Sequence, residues 1–219
     1  MSRTINAAIL DLRTAVSSLK TSVVMCIVAF AIGAATKLPE FTLGLAMVFG
    51  VFASGMVFSV HEKSHSERLY GILPLKKSEI VAGRYLYALA IGLVNTAIAV
   101  VLTLLAALVR KVSLDPVLFL GVLSLSFLYY CFAVGVAYPI YFRFSFSRAY
   151  VFTTLPLYLV FLAALLLSRK FNIAGNLGGF LQFFSAHQAL MPIFGLLIGL
   201  ILLAVSALIG NSIYARKEI

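Results

Sequence analysis

Residues 61–65 carry the one pattern in this chain that matches a catalytic motif. His61, Glu62 and His65 fit the pattern H-E-x-x-H. On a helix this spacing places two imidazoles on one face, where they can bind zinc, and the glutamate can act as a general base. The pattern therefore raises the hypothesis of a zinc-dependent intramembrane metalloprotease.

The rest of the sequence argues against a zinc site. A catalytic zinc needs a third protein ligand, and the remaining histidine, His187, is expected on the other side of the membrane. Ser64 and Glu67 have the spacing of a capping box, which would begin a helix at Ser64 and separate His61 from His65. The acids expected on the same side as the motif are interpreted as helix caps or tail charges: Asp11, Glu67, Glu79 and Glu218.

No other pattern predicts catalysis. The chain contains no G-x-S-x-G, no G-x-x-x-x-G-K-[ST] and no Gly-rich dinucleotide turn, so it is not expected to bind ATP through the usual loop. We expect no catalytic residue, no metal and no cofactor of its own. No Asp, Glu, Lys or Arg falls at the middle of an apolar block, which disfavours a proton- or ion-coupled transporter. A carrier that works without an ATPase is left open.

Composition predicts an all-α membrane protein. Apolar residues make up 63% of the 219 residues and charged residues only 11%, which lies far outside the range of soluble proteins. The apolar residues form blocks that suit a hydrocarbon core, for which about 20 residues suffice. We predict a single transmembrane domain, 1–219, with six transmembrane helices at 21–36, 41–60, 84–109, 117–140, 149–168 and 189–210.

Two further segments are expected at the membrane surfaces. Residues 1–20 predict an amphipathic interfacial helix, because its apolar residues cluster on one side of a helical wheel. These residues are Ile5, Ala8, Ile9, Leu12, Val16 and Leu19. Residues 169–188 are too polar and Gly-rich to span, yet too apolar for open water, and predict a re-entrant segment on the outer side.

Lys and Arg residues set the orientation. With a cytoplasmic N-terminus, twelve of them fall on the cytoplasmic side and five outside, so the positive-inside rule predicts that both termini and the 61–83 loop are cytoplasmic. The net charge of +10 is therefore a signature of membrane orientation, and we expect no nucleic-acid partner.

The 61–83 loop predicts a short amphipathic helix. The capping box would open it at Ser64, and Pro74 would end it at Leu73. Its apolar face consists of Leu69, Ile72 and Leu73. Ser78 is expected to cap the next helix. The apolar face must lie either on the lipid surface or in a soluble partner.

The second cytoplasmic loop, 141–148, is expected to be an interfacial turn anchored by aromatic residues. These are Tyr141, Phe142, Phe144 and Phe146, with Arg143 between them. Within the spans, glycines such as Gly50 and Gly92 predict close helix packing. The polar span residues, among them Asn95, Thr96 and Thr103, predict hydrogen bonds between helices.

Two stretches resemble a known family. The loop contains Glu62-Lys63-Ser64, Arg68-Leu69, Leu73-Pro74-Leu75 and Glu79-Ile80-Val81-x-Gly83-Arg84-Tyr85, and the fourth span ends in Pro139-Ile140-Tyr141-Phe142-Arg143-Phe144. These runs resemble ABC-2-type transporter permeases, in particular a small bacterial branch that includes the phenol-soluble modulin exporters. His61, His65 and Arg84 depart from the usual residues of that pattern.

The resemblance implies a permease half in a bacterial cytoplasmic membrane. Two such chains, identical or paired with a sister, would form the pathway, and each would dock on a separate ATP-binding-cassette ATPase that binds ATP and Mg²⁺. The helix at 64–73 would be the coupling helix seated on that ATPase. The implied contact residues are Glu62, Lys63, Ser64, Glu67, Arg68, Leu69, Tyr70, Ile72, Leu73 and Pro74. Apolar, Phe-rich spans favour an amphipathic peptide or a lipid-like molecule as the exported substrate.

Overall fold

Seven helices make up the part of the chain that the structure, a computed structural model, describes: residues 2–15, 19–35, 39–64, 76–153, 155, 159 and 190–216. They are α1 (Ser2–Ala15), α2 (Leu19–Ala35), α3 (Phe41–Lys63), α4 (Lys77–Arg110), α5 (Pro116–Arg143), α6 (146–153) and α7 (Leu190–Ala215). These residues include no strand. The all-α class is confirmed.

Four of these helices are long and apolar enough to cross a membrane: α3, α4, α5 and α7. Helix α4 has 34 residues and is therefore about 50 Å long at 1.5 Å per residue. That length exceeds the roughly 30 Å of a hydrocarbon core, so one end of α4 extends beyond it. Helix α2 is apolar but has only 17 residues. Most of the fifth predicted span and the whole re-entrant segment 169–188 lie outside the described residues, and the six-span arrangement stays a prediction.

Close helix contacts occur where the sequence places glycine. Gly92 of α4 lies against the ring of Tyr130 from α5, with no room for a Cβ atom. Gly50 of α3 lies against Asn95 of α4, whose amide Nδ2 would be 2.6 Å from an added Cβ. The predicted packing role of these two glycines is confirmed.

Side-chain hydrogen bonds connect the spans. The Tyr130 hydroxyl donates to the Ala88 carbonyl at 2.6 Å, the Tyr138 hydroxyl to Ser54 at 2.9 Å, and Asn95 Nδ2 to Ala46 at 2.7 Å. The prediction is thus confirmed for Asn95. It is also confirmed for Thr96, whose hydroxyl lies 3.5 Å from Sδ of Met47 in α3 as well as 2.7 Å from the Gly92 carbonyl of its own helix. It is wrong for Thr103, whose hydroxyl donates to the Ala99 carbonyl one turn back in its own helix, as threonine in a helix readily does.

Helix α1 has two distinct faces. Ile5, Ile9 and Leu12 are exposed on one side, as an interfacial helix requires, although the position of α1 relative to a membrane stays a prediction. The opposite side packs on α4 and α3 through Ala7, Leu10 and Asp11. The described part of α1 extends to Ala15, and α2 is described from Leu19; residues 16–18 lie outside the described residues, so the predicted extent of the interfacial helix to residue 20 stays a prediction.

The helix ends around the 61–83 loop also differ from prediction. Helix α3 continues to Lys63, and Ser64 closes it with helical φ and ψ of −86° and 0°, its hydroxyl donating to Val60 at 2.7 Å. An N-cap needs extended geometry, so the predicted capping role of Ser64 is wrong. Helix α4 begins at Lys77 with Lys76 as N-cap, whose N–H donates to the Glu79 carboxylate at 2.9 Å. The predicted cap Ser78 therefore lies inside the helix.

Candidate functional site

The candidate site is the base of the 65–75 segment, where α3 ends and α4 begins. Among the predicted contact residues, Glu62, Lys63 and Ser64 lie at the end of α3. The others lie outside the described residues: Glu67, Arg68, Leu69, Tyr70, Ile72, Leu73 and Pro74. What the structure describes is how the two helices that hold this segment are attached to the rest of the bundle.

His61 attaches α3 to the N-terminal helix. Its Nε2 lies 2.8 Å from Oδ1 of Asp11, and the residues are only 3% and 1% exposed. When the carboxylate is ionised it only accepts hydrogen bonds, and His61 Nε2 is then the donor. Asp11, interpreted from sequence as a cap or tail charge, is instead a buried partner of His61, and that interpretation is wrong.

Arg84 of α4 completes the group. Its Nε lies 4.0 Å from Oδ2 of Asp11, and its guanidinium carbon lies 4.6 Å above the Phe58 ring and 5.5 Å from the Phe142 ring. A guanidinium between two aromatic faces is stabilised by cation–π attraction. Arg84 therefore contacts α1, α3 and α5 at once. We name Asp11, His61 and Arg84 the polar cluster.

Glu62 points to a different partner. Its carboxylate accepts two hydrogen bonds from Ser147, one from the backbone N–H at 2.9 Å and one from the hydroxyl at 2.8 Å. Ser147 lies in the first turn of α6, where backbone N–H groups have no partner within the helix and a negative charge complements the helix dipole. The two predicted cytoplasmic loops are thus joined directly by Glu62.

The loop predicted at 141–148 is shorter in the structure. Helix α5 continues through Arg143, leaving only Phe144 and Ser145 between it and α6. Tyr141 and Phe142 are buried in the bundle rather than placed at its surface, so their predicted role as interfacial anchors is wrong. Arg143 and Phe144 are exposed, and the guanidinium of Arg143 lies 5.5 Å from the Phe144 ring.

An aromatic core lies next to the polar cluster. Phe58 packs edge-on against Tyr138 and Phe142, with ring centroids 4.9 and 5.4 Å apart. The Tyr85 hydroxyl, one residue after Arg84, lies 2.6 Å from Oγ of Ser206 in α7. Lys77, the first residue of α4, donates from Nζ to the Ala215 carbonyl at 3.3 Å. The start of α4 is therefore attached to α1, α3, α5 and α7.

The geometry gives no support to a zinc site. Among the described residues, no three His, Cys, Asp or Glu side chains lie close enough to hold a metal. His61 and Glu62 are adjacent in sequence, yet His61 contacts α1 and Glu62 contacts α6. His65, the other histidine of the motif, lies outside the described residues. In the described part of the chain, the motif residues connect helices.

The family assignment rests on nearly the whole chain. The family model described as ABC-2 family transporter protein matches residues 10–215. The chain belongs to the ABC-2 transporter family. It is the membrane-spanning domain of an ABC-type permease, and the family indicates a transport subunit rather than an enzyme. A comparison with curated proteins finds no match.

Sequence reasoning missed the polar cluster of this ABC-2 permease. One signal was present, because Ala7, Leu10, Asp11 and Thr14 follow the i, i+3, i+4, i+7 spacing of one helix face. An acid on a face of otherwise small or apolar residues indicates a buried partner. The prediction for α1 instead followed the longer apolar stripe on the other side of the helix, which includes Ile5, Ile9 and Leu12.

Proposed function

We propose that this chain is the permease half of an exporter driven by ATP hydrolysis on a separate ATP-binding-cassette subunit. ABC-2 permeases generally work with such a partner. The proposal places the coupling helix between Ser64, which closes α3, and Pro74, with the ATPase seated on it. The proposed contact residues are those that the family resemblance implies between Glu62 and Pro74. The transporter contains two permease chains, identical or sister, in a bacterial cytoplasmic membrane.

One observation carries this proposal beyond the family: the attachment of the helices on either side of the 65–75 segment. His61 and Glu62 attach the end of α3 to α1 and α6. Arg84 and Tyr85 attach the start of α4 to α1 and α7. A force applied to the segment would therefore reach several helices without first breaking local contacts, as a rigid-body switch requires.

The substrate that we propose is an amphipathic peptide or another hydrophobic molecule moved out of the cell. The described spans expose large aliphatic and aromatic side chains, such as Leu108 and Phe152. All four long spans have strongly apolar windows with at most two charged residues. Such surfaces suit a membrane-partitioned substrate better than an ion or a sugar, which would need polar or charged partners within the spans.

The test is reconstitution of the permease with its ATPase in lipid vesicles. We expect the wild-type complex to hydrolyse ATP and to transport a fluorescent amphipathic peptide. Leu69→Asp and Leu73→Asp should uncouple hydrolysis from transport, because a charge on the apolar face of the coupling helix opposes docking. Ser113→Asp adds the same charge to an exposed residue outside the long helices and serves as the control. Unchanged complex formation and transport in both leucine variants would refute the proposed coupling helix.

A further inference from the structure

The polar cluster holds two of the three buried Asp, Glu, Lys and Arg side chains among the described residues; the third is Glu40. Asp11 is 1% exposed and Arg84 is 6% exposed. Removing a carboxylate and a guanidinium from water is costly unless they are paired and hydrogen-bonded. A surface helix could be held on the bundle by apolar contacts alone, so the burial of these groups calls for a reason beyond packing.

From this geometry we infer that Asp11, His61 and Arg84 hold α1 to the ends of α3 and α4, so that the N-terminal helix moves with the base of the coupling segment as one body. The inference rests on the proposed function, because it assigns α1 a part in transmitting the motion. Asp11, His61 and Arg84 are positioning residues in this scheme. None of them needs to touch the substrate or ATP.

The first argument is directional. Asp11 is the only acid of α1, and its two carboxylate oxygens face different helices. Oδ1 accepts from His61 of α3 at 2.8 Å, and Oδ2 lies 4.0 Å from Nε of Arg84 of α4. Hydrogen bonds depend on angle as well as distance, so the cluster fixes the orientation of α1. Apolar contacts would allow it to slide.

The second argument is the closeness of the backbones at the same place. Gly83 precedes Arg84, and a Cβ atom added there would lie 2.9 Å from the Cβ of Ala7 and 3.2 Å from the Thr4 carbonyl oxygen. Helix α4 thus approaches the backbone of α1 one turn before Asp11. Close backbone contact and a directional polar contact on adjacent turns together prevent rotation and separation of the two helices.

The third argument is the outer face of α1. Ile5, Ile9 and Leu12 are 42%, 43% and 47% exposed, and exposed apolar residues in this pattern suit a lipid surface. A helix held to lipid on one face and to the coupling base on the other will carry motion of that base to the membrane interface. Without the polar cluster, α1 could remain in the lipid while α3 and α4 move.

Spin-label distances on the purified permease test the attachment independently of any ATPase. In a Cys26→Ser background, labels at the exposed residues Arg13 of α1 and Ala82 of α4 should give one narrow distance distribution. Asp11→Asn and His61→Leu should broaden it, with the detached fraction rising about tenfold, as loss of a hydrogen bond to a charged group implies. His61→Gln retains an N–H donor and should keep the narrow distribution.

The role in transmission is tested on the complex with ATPase in vesicles. We expect the peptide transported per ATP hydrolysed to fall in Asp11→Asn and His61→Leu but not in His61→Gln. If Asp11→Asn does not fold, the two His61 variants carry the test. Narrow distances in every variant, or lower thermal stability with unchanged transport per ATP, would overturn the inference. A wild-type complex without ATP-driven transport would instead refute the proposed function, while the distances still report the attachment.

Discussion

Replacing Gly83 by alanine should separate α1 from α4. The new Cβ would lie 2.9 Å from the Cβ of Ala7, whereas carbon atoms pack best at about 3.5–4.0 Å. Helix α1 would therefore move outward by roughly 1 Å. The bond between His61 and Asp11, now 2.8 Å, would lengthen beyond the range of a hydrogen bond.

The expected loss of stability in Gly83→Ala can be estimated by comparison with the same substitution at a second glycine. Overpacking costs about 1–3 kcal/mol, while exchanging glycine for alanine within a helix returns about 1 kcal/mol. Gly135 of α5 is the matched control, because its added Cβ would lie 3.6 Å from Ser206, which is an ordinary contact. The helix term is common to both variants, so Gly83→Ala should be less stable than Gly135→Ala by about 1–3 kcal/mol.

Thermal unfolding of the detergent-solubilised protein measures this difference. The chain contains no Trp and ten Tyr, so near-UV circular dichroism of the tyrosines reports loss of the packed core. For a chain of this size, the midpoint of Gly83→Ala should lie roughly 2–12 °C below that of Gly135→Ala, at about 2–4 °C per kcal/mol. Equal midpoints for the two variants would show that α1 does not lie on α4 at Gly83.

Three other predictions concern contacts that the structure describes. Glu62→Gln should destabilise the protein by about 1–2 kcal/mol in thermal unfolding, because it removes the charge from the two hydrogen bonds that Ser147 donates. If the losses of stability from Glu62→Gln and Ser147→Ala simply add in the double variant, the two residues do not interact and the prediction is contradicted. Tyr130→Phe should cost about 0.6 kcal/mol, since it removes a buried hydroxyl donor from the Ala88 carbonyl within the spans, and no loss of stability would refute that bond. In a Cys26→Ser background, a membrane-impermeant maleimide on intact cells should label Lys111→Cys and leave Lys63→Cys unlabelled, and the reverse pattern would invert the topology.

The apolar blocks in the sequence predicted the positions of the long helices correctly, but they did not predict the residues at which those helices end. Helices α3, α4, α5 and α7 match predicted spans, but each continues into polar sequence, such as His61–Lys63 after the second span. Hydropathy measures only the part of a helix that lipid can surround. A long membrane helix that projects into water keeps its backbone hydrogen bonds with no apolar signal, and so its last turns cannot be found from composition.

Side-chain contacts between residues far apart in the chain were the second feature that could not be predicted from the sequence. The sequence gives no sign that residue 11 pairs with residue 61, or that Glu62 accepts from Ser147, because these pairs are 50 and 85 residues apart. The position of Tyr141 and Phe142 was wrong for a related reason. Aromatic residues near a span end are typical of the lipid interface, but α5 continues through Arg143, and Tyr141 and Phe142 lie buried in its last turn.

The location of the strong and weak polar contacts has a mechanical consequence. Hydrogen bonds between neutral groups in membrane spans contribute about 0.6 kcal/mol each on average, and those of Tyr130, Tyr138 and Asn95 are of this kind. The hydrogen bonds at the end of α3 are instead made by the carboxyl groups of Asp11 and Glu62, and hydrogen bonds to charged groups contribute about 1.5–3 kcal/mol. Arg84 adds an ion contact, with its Nε 4.0 Å from Oδ2 of Asp11. Helices joined in this way can repack along their spans while their ends beside the 65–75 segment stay together. In the proposed mechanism, an ATPase outside the membrane applies the force at the ends of α3 and α4. The contacts at these ends must then be stronger than those within the spans, because weaker contacts would break before the spans move.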